Sequence, residues 1–244
     1  MNRSRKKKTS SQEWLKIWQK QGRNLNSSNI DDIINANGHD STLGRFSKTS
    51  WFKYIKSILK DIKVDKNSKI LEYGCGAGAF LSYWYGKKYS LYGIDYSKTL
   101  IVKCKKYFPK MNLRVGEISA IDTFNTKFDL IITHSIFQYF DNYMYAKSLI
   151  LKMLSNLKSK GIICILDVSD KTKEQSRIKE IKKKLGIKKY KIKYAKNKHL
   201  FFRKTFFKDL AKKENLNIKI FKHNYKFNEN SEYRYNVILK KNQI

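Results

Sequence analysis

The run Glu72-Tyr73-Gly74-Cys75-Gly76-Ala77-Gly78 combines residue types and spacing that imply ligand chemistry. Three alternating glycines let bare backbone approach a ligand, and the apolar run ending at Glu72 delivers this turn from a strand into what reads as a helix, whose N-terminus would face the same ligand. Asp95 ends the next apolar run, close to the ~20-residue distance from the first glycine at which a carboxylate reaches ribose hydroxyls in such folds. His134 follows the fourth apolar run and titrates in the range suited to proton abstraction near neutral pH. Asp167 ends the fifth run at the same edge, as a second base or as the cap of the next helix.

Cys75, Cys104 and Cys164 form no C-x-x-C pair and have no histidine at ligand spacing, so neither a disulfide framework nor a metal site is predicted. His199 and His223 fall in the C-terminal part, and His39 in a loop near the presumptive ligand entrance.

The elements that must position these residues alternate along the chain. Strands are predicted at 69–72, 90–94, 112–115, 128–133 and 162–167, with helical stretches at 79–85, 97–107 and 143–157 between them. Such alternation predicts an α/β, doubly wound, mostly parallel sheet. The 143–157 stripe of Ala146, Leu149, Ile150, Met153, Leu154 and Leu157 ends before Gly161, placed for a left-handed cap. Trp51, Ile55, Ile58, Leu59 and Ile62 recur at helical spacing ahead of the first strand. After 171–203, basic and helix-prone, a helix at 205–215 and strands at 216–221 and 233–239 close the chain. The division expected is a disordered basic tail over 1–12, an N-terminal helical cap over 13–50, and one domain over 51–244 carrying a basic substrate-side insertion at 171–204.

The glycine pattern alone, Gly74-x-Gly76-x-x-Ala79, fits a dinucleotide as well as S-adenosylmethionine. Three features favour the latter. Glu72, two residues before the first glycine, suits a cationic amino-acid moiety and would repel a pyrophosphate. Glu117 in Gly116-Glu117-Ile118 offers an acceptor to an adenine amino group, and the closing helix and two strands suit a seventh strand inserted antiparallel at the sheet edge.

Together these segments resemble the class I S-adenosylmethionine-dependent methyltransferases from about Trp51 onward. ILEYGCGAGAF is similar to the first motif of that family, LYGIDYS to its ribose motif, VGEI to its adenine motif, FDLIITHSIFQYF to its fourth strand and GIICILDV to its fifth. The resemblance implies a seven-stranded sheet with an antiparallel last strand and S-adenosylmethionine as cofactor. Glu72, Gly74, Cys75, Gly76 and Gly78 would line its methionine part, Asp95 and Tyr96 its ribose, Glu117 and Ile118 its adenine, and Thr133 and His134 the floor beneath the sulfonium. The fourth strand lacks the Asn/Asp-Pro-Pro-Tyr/Phe signature of amino-group methylases, which counts against N-methylation of a base. More loosely, NGHDSTLGRFSKTSW and HLFFRKTFFKDLAKKENLNIKIFKHNYK resemble small bacterial methyltransferases of surface-polysaccharide clusters.

Composition sets the remaining bounds. The 244 residues suffice for one substantial core, no run reaches membrane-span length, and a reducing, cytoplasmic location fits the scattered cysteines. A net charge of +33 would draw nucleic acid or anionic partners, but the excess is almost all lysine, spread throughout beside abundant Asn and Ile, as codon bias in an AT-rich genome produces. The expected function is O-methylation of a small acceptor such as a sugar, nucleotide-sugar or phosphate-bearing glycan precursor. His134 or Asp167 would be the base, with Trp51, Gln138, Tyr139, His199 and Arg203 around the acceptor. An RNA methyltransferase or RNA-binding protein is the alternative, and an NAD-dependent oxidoreductase the remote one.

Overall fold

The computed structural model describes residues 10–242 apart from 28, 39–45, 61, 195–197 and 224–229, and apart from the side chains of 10, 118, 119 and 193. His39, the Ile118 side chain and the tail as far as residue 9 therefore lie outside the described residues, while Ser10–Gln12 form the first turn of a helix. In chain order the elements are α1 (Ser10–Asn24), α2 (Ile30–Ala36), α3 (Lys48–Ile58), β1 (Lys69–Tyr73), β2 (Ser90–Asp95), α4 (Lys98–Tyr107), β3 (Asn112–Val115) and β4 (Phe128–His134). They continue with α5 (Tyr143–Ser155), β5 (Leu157–Ser169), α6 (Glu174–Leu185), α7 (Ile187–Tyr194), α8 (Lys204–Lys213), β6 (Leu216–Lys222) and β7 (Arg234–Lys241).

The seven strands lie in the order β3-β2-β1-β4-β5-β7-β6, parallel except for β7, which runs antiparallel between β5 and β6. Strand order reverses between β1 and β4, which opens a crevice at their C-terminal ends, where ligands bind in open α/β sheets. Both faces are covered, so the central strands read as near-continuous apolar runs. Alternation assigns the faces: Ile70, Leu130 and Ile132 pack with Trp51, Ile55, Phe80 and Leu100 on one side. Leu71 and Ile131 pack with Leu149, Ile150, Met153 and Phe207 on the other.

Two local expectations are corrected. The stretch 79–85 is not an α-helix but a set of turns around the short 3₁₀ segment Leu81–Tyr83. The Ala79 carbonyl is taken by the Trp51 indole N–H at 2.9 Å and by Ser82 Oγ at 2.7 Å, so side chains replace the helical ladder. No α-helix N-terminus therefore follows the glycine turn. Gly161 lies inside β5, not at a helix end, since α5 stops at Ser155 and Asn156 caps it. What requires glycine there is close approach: a Cβ would stand 2.6 Å from Leu157 Cγ and 3.0 Å from the Phe128 carbonyl oxygen.

Among the described residues, no helix is long and apolar enough to cross a membrane. The N-terminal helices lie over the sheet, with α1 seated on the start of α4. Thr99 donates through its backbone N–H to Gln19 Oε1 at 3.2 Å and through its hydroxyl to the Gln19 carbonyl at 2.9 Å.

Candidate active site

At the end of β1 the backbone N–H groups of Gly74 and Cys75 both donate to the Ile94 carbonyl, at 2.7 and 3.0 Å, which folds the turn against the end of β2. Asp95 locks it: its Oδ2 accepts from Gly76 N at 2.9 Å and its Oδ1 from Ser97 N at 2.8 Å. Gly76 has φ +53, and a Cβ on it would lie 2.6 Å from Asn37 Oδ1. Asn37, just after α2, straddles the turn by donating to the Cys75 carbonyl at 3.2 Å and accepting from Ala77 N at 3.0 Å. No local sequence signal marks Asn37, because its partners lie about 40 residues away.

Glu72 faces the crevice from beneath this turn. It is 2% exposed and its Oε2 has no hydrogen-bond partner. Burial, and then the nearby Asp95, push its pKa well above the usual carboxylate range. Asp95 is pushed up to about 6 by burial, against the two backbone donors that favour its anion.

The crevice is lined at its base by Glu72, Gly74, Gly76 and Asp95. Tyr96 and Glu117 line it as well, as do His134, Trp51 and Tyr139. Trp18, Ile136 and Phe140 complete the wall, as do Tyr73, Phe80 and Tyr145, which the sequence did not single out. Ser11, at the start of α1, donates through N and Oγ to Asp141, each at 2.8 Å, and so joins that helix to the crevice rim. Four carboxylates, Glu72, Asp95, Glu117 and Asp141, line this space, and among the described residues no lysine or arginine does.

Other expected site residues stand elsewhere. The Cys75 side chain is buried beneath the turn, where its Sγ would lie 2.7 Å from a Cβ on Gly93, and Gly78 exists to pack against Cys104 and Phe108 rather than to face a ligand. Thr133 is fully buried and off the crevice, with an unpartnered Oγ1. Gln138 is also buried off it and donates to the Ser135 carbonyl at 2.6 Å. His199 stacks on Trp14 at 5.3 Å and meets Tyr139 at 5.6 Å behind the wall, and Arg203 is exposed at the start of α8.

His134 has a built environment. It is 9% exposed, packed against Trp51 and Phe80 with ring centroids 5.4 and 5.2 Å away. Its Nε2 is 2.9 Å from the Tyr54 hydroxyl, which is 2.8 Å from His223 Nε2. Asp167 does not reach the crevice. It is 3% exposed, 3.6 Å from His223 Nε2 and 3.9 Å from Arg234, and it accepts a short hydrogen bond from Ser135 Oγ. Burial pushes its carboxyl up, but Arg234, then His223 and His134, outweigh this and hold it at about 2. A carboxylate so stabilised is a poor base, which corrects its expected catalytic role.

Ser135 and Asp167 both adopt φ +59, a left-handed conformation that costs a non-glycine residue about 1–3 kcal/mol. The β5–β7 register shifts between Ile165 and Val168, and this bulge aims Asp167 at its partners. Two adjoining strand ends thus hold strained residues linked to each other beside the crevice.

Comparison with known proteins places this geometry. The family described as methyltransferase domain matches residues 64–229. Among solved structures, the plantazolicin methyltransferase BpumL in complex with S-adenosylhomocysteine is 19% identical with a TM-score of 0.61, over 96% of this chain and 99% of that one. Magnesium protoporphyrin IX methyltransferase from Synechocystis PCC 6803 is 11% identical with a TM-score of 0.63, over 96% of this chain and 100% of that one. A TehB-like S-adenosylmethionine-dependent methyltransferase from Corynebacterium glutamicum is 17% identical with a TM-score of 0.56, over 95% and 98%.

Proposed function

The chain belongs to the methyltransferase-domain family, and from that premise we propose that it transfers the methyl group of S-adenosylmethionine to a hydroxyl of a small acceptor, with His134 receiving the proton. One observation carries the cofactor assignment: the buried, unpartnered Oε2 of Glu72 at the foot of the glycine turn. A buried carboxylate oxygen without a partner is costly, and a cationic ammonium at this place would satisfy it. The same carboxylate would repel the pyrophosphate of a dinucleotide, which speaks against the oxidoreductase reading.

When bound, S-adenosylmethionine supplies an activated methyl on a good leaving group. The protein's share is alignment, exclusion of water and acceptance of a proton. Glu72 would hold the amino-acid end, Asp95 the ribose while keeping Gly76 in place, and Glu117 the adenine edge. Trp51 and Phe80 pack around His134 and shield it from water, and its imidazole faces the crevice as the group able to take the acceptor's proton.

The wall chemistry refines the acceptor. Phosphates entering the crevice would meet four acidic side chains and, among the described residues, no cation, which disfavours nucleotide-sugars, phosphate-bearing glycan precursors and RNA. A neutral hydroxyl compound, an uncharged sugar included, suits it better. The lysine excess lies instead on outward surfaces, such as the exposed Lys182–Lys184 and Lys188–Lys189 around the end of α6 and the start of α7.

Calorimetry tests the cofactor: heat from S-adenosylhomocysteine and none from NAD is expected, and the reverse overturns the assignment. A screen of neutral and phosphorylated acceptors with labelled cofactor then tests the acceptor. Site-specific label in total RNA would overturn the small-acceptor reading.

A further inference from the structure

Behind His134 lies a row of buried titratable groups that methyl transfer as described above leaves unused. Tyr54 comes from α3, His134 from the end of β4 and His223 from just after β6, and all three are buried. The Tyr54 hydroxyl lies between the Nε2 atoms of both histidines, at 2.9 and 2.8 Å. A phenol has one proton, so it donates to one imidazole and accepts from the other, and with both rings neutral only one of them carries its proton on Nε2. The tautomers of His134 and His223 are therefore tied together through one oxygen.

Beyond His223 the row ends on Ser231 and Asp167. Its Nδ1 is 2.8 Å from Ser231 Oγ. Its Nε2 is 3.6 Å from Asp167 Oδ1, a buried oxygen with no hydrogen-bond partner of its own. Asp167 is held as a carboxylate by the geometry already given, with Arg234 3.9 Å from its other oxygen. The groups facing His223 are thus Tyr54 from α3, Asp167 from β5, Ser231 and Arg234. Burial, together with Arg234, lowers the His223 pKa despite Asp167, so its ring is neutral at rest and able to receive a proton.

We propose that Tyr54 and His223 form a buried proton relay behind His134, Tyr54 passing inward the proton that His134 gains from the acceptor and Asp167 stabilising the resulting His223 cation. The inference rests on the reading of His134 as the base. At rest His134 carries its proton on Nε2 and donates to Tyr54, which donates to His223 Nε2. As the acceptor oxygen bonds to the methyl carbon and the carbon–sulfur bond breaks, the acceptor's proton goes to the other nitrogen of His134. The Nε2 proton of His134 then moves to Tyr54, and that of Tyr54 to His223 Nε2. His134 is left neutral, Tyr54 unchanged, and one added proton rests on His223 facing Asp167. Tyr54 and His223 are positioning residues here, since neither touches the acceptor.

Long-range ¹H–¹⁵N spectra of ¹⁵N-histidine-labelled protein test this without a known acceptor. In the wild type, free and with S-adenosylhomocysteine, His134 is expected as the Nε2–H tautomer and His223 as the Nδ1–H tautomer. On acidification, the ring nitrogens of His223 should shift in step with those of His134. In Tyr54→Phe the coupling should be lost, while affinity for S-adenosylhomocysteine stays within about twofold. His223→Gln supplies a second test if Tyr54→Phe does not fold, and should release the His134 tautomer in the same way. Independent titration of the two histidines in the wild type, or coupling that survives Tyr54→Phe, would overturn the relay. Failure of S-adenosylhomocysteine to bind is read separately and counts against the cofactor assignment alone.

Discussion

On one wall of the crevice, Glu72, Gly74, Gly76 and Asp95 come from two consecutive strands and the turn between them, and backbone donors close their geometry locally. On the other, His134 meets a tyrosine 80 residues away, and that tyrosine meets a histidine 169 residues away. The first wall holds carboxylates made harder to ionise by burial, and behind the second stands a carboxylate made easier to ionise by neighbouring cations. Local chain geometry is enough to build a binding surface. A group able to move protons here requires the tertiary fold, with strain at Ser135 and Asp167 as part of its construction.

The largest effect is expected on the glycine wall. Gly76→Leu places a side chain at φ +53 against Asn37, so affinity for S-adenosylhomocysteine should fall by more than about 100-fold (about 3 kcal/mol) while the far-ultraviolet spectrum is kept. Calorimetry reads it. Unchanged affinity would mean that the turn is not the cofactor cradle, and the contrast between the walls would collapse.

On the opposite wall, His134→Ala should lower kcat on the true acceptor by about 10²-fold, the usual contribution of a general base, with cofactor affinity nearly unaltered. Loss of cofactor affinity instead would place His134 with the first wall. Full activity would show that alignment alone suffices.

How much of this was legible in the sequence follows the same division. Glu72, the glycines and Asp95 could be read because their partners are close in sequence, and the mostly parallel sheet followed from alternation. Tyr54, Asn37 and the role of His223 could not, since a residue's type does not disclose a partner brought to it by a distant strand. Gly161 was misread because a glycine needed for a left-handed cap and one needed for close approach look alike in a sequence. The expected helix after the glycine turn failed because the Trp51 indole claims a carbonyl the helix would use. Net charge did not disclose the character of the site: +33 describes the whole chain, while the crevice is lined with acids.

Glu72→Gln separates binding from stability on the first wall. Loss of a charge-assisted hydrogen bond worth about 1.5–3 kcal/mol should weaken S-adenosylmethionine by about 10- to 100-fold. The free protein should melt higher near neutral pH, because the variant no longer has a buried carboxyl that must take up a proton on folding. Since Glu72 is raised in the free protein, binding of a cationic ammonium should also expel its proton. In the wild type, the binding enthalpy should then vary with the ionisation enthalpy of the buffer, and in Glu72→Gln it should vary less. A destabilised variant with unchanged affinity would make Glu72 a structural residue.

The smallest expected effect concerns pH, where the two walls should act with opposite sign. Asp95 holds its proton more tightly in the folded protein than in the unfolded chain, so its contribution to stability is complete below about pH 4 and is lost as pH rises through about 6. Asp167 behaves in reverse: its contribution is present above about pH 4 and is lost as pH falls towards 2. Between pH 4 and 7 Asp95 therefore titrates while Asp167 stays ionised. The rise of Asp95 from 3.8 to about 6 corresponds to at most about 3 kcal/mol. At 2–4 °C per kcal/mol for a chain of this size, that is on the order of 10 °C at the upper limit. Thermal unfolding of wild type and Asp95→Asn across this range isolates it, because surface charges contribute equally to both proteins. The melting-temperature difference, wild type minus variant, should decline as pH rises. A constant difference would mean that the Gly76 and Ser97 donors keep Asp95 ionised throughout, and that the walls differ in construction but not in electrostatic sign.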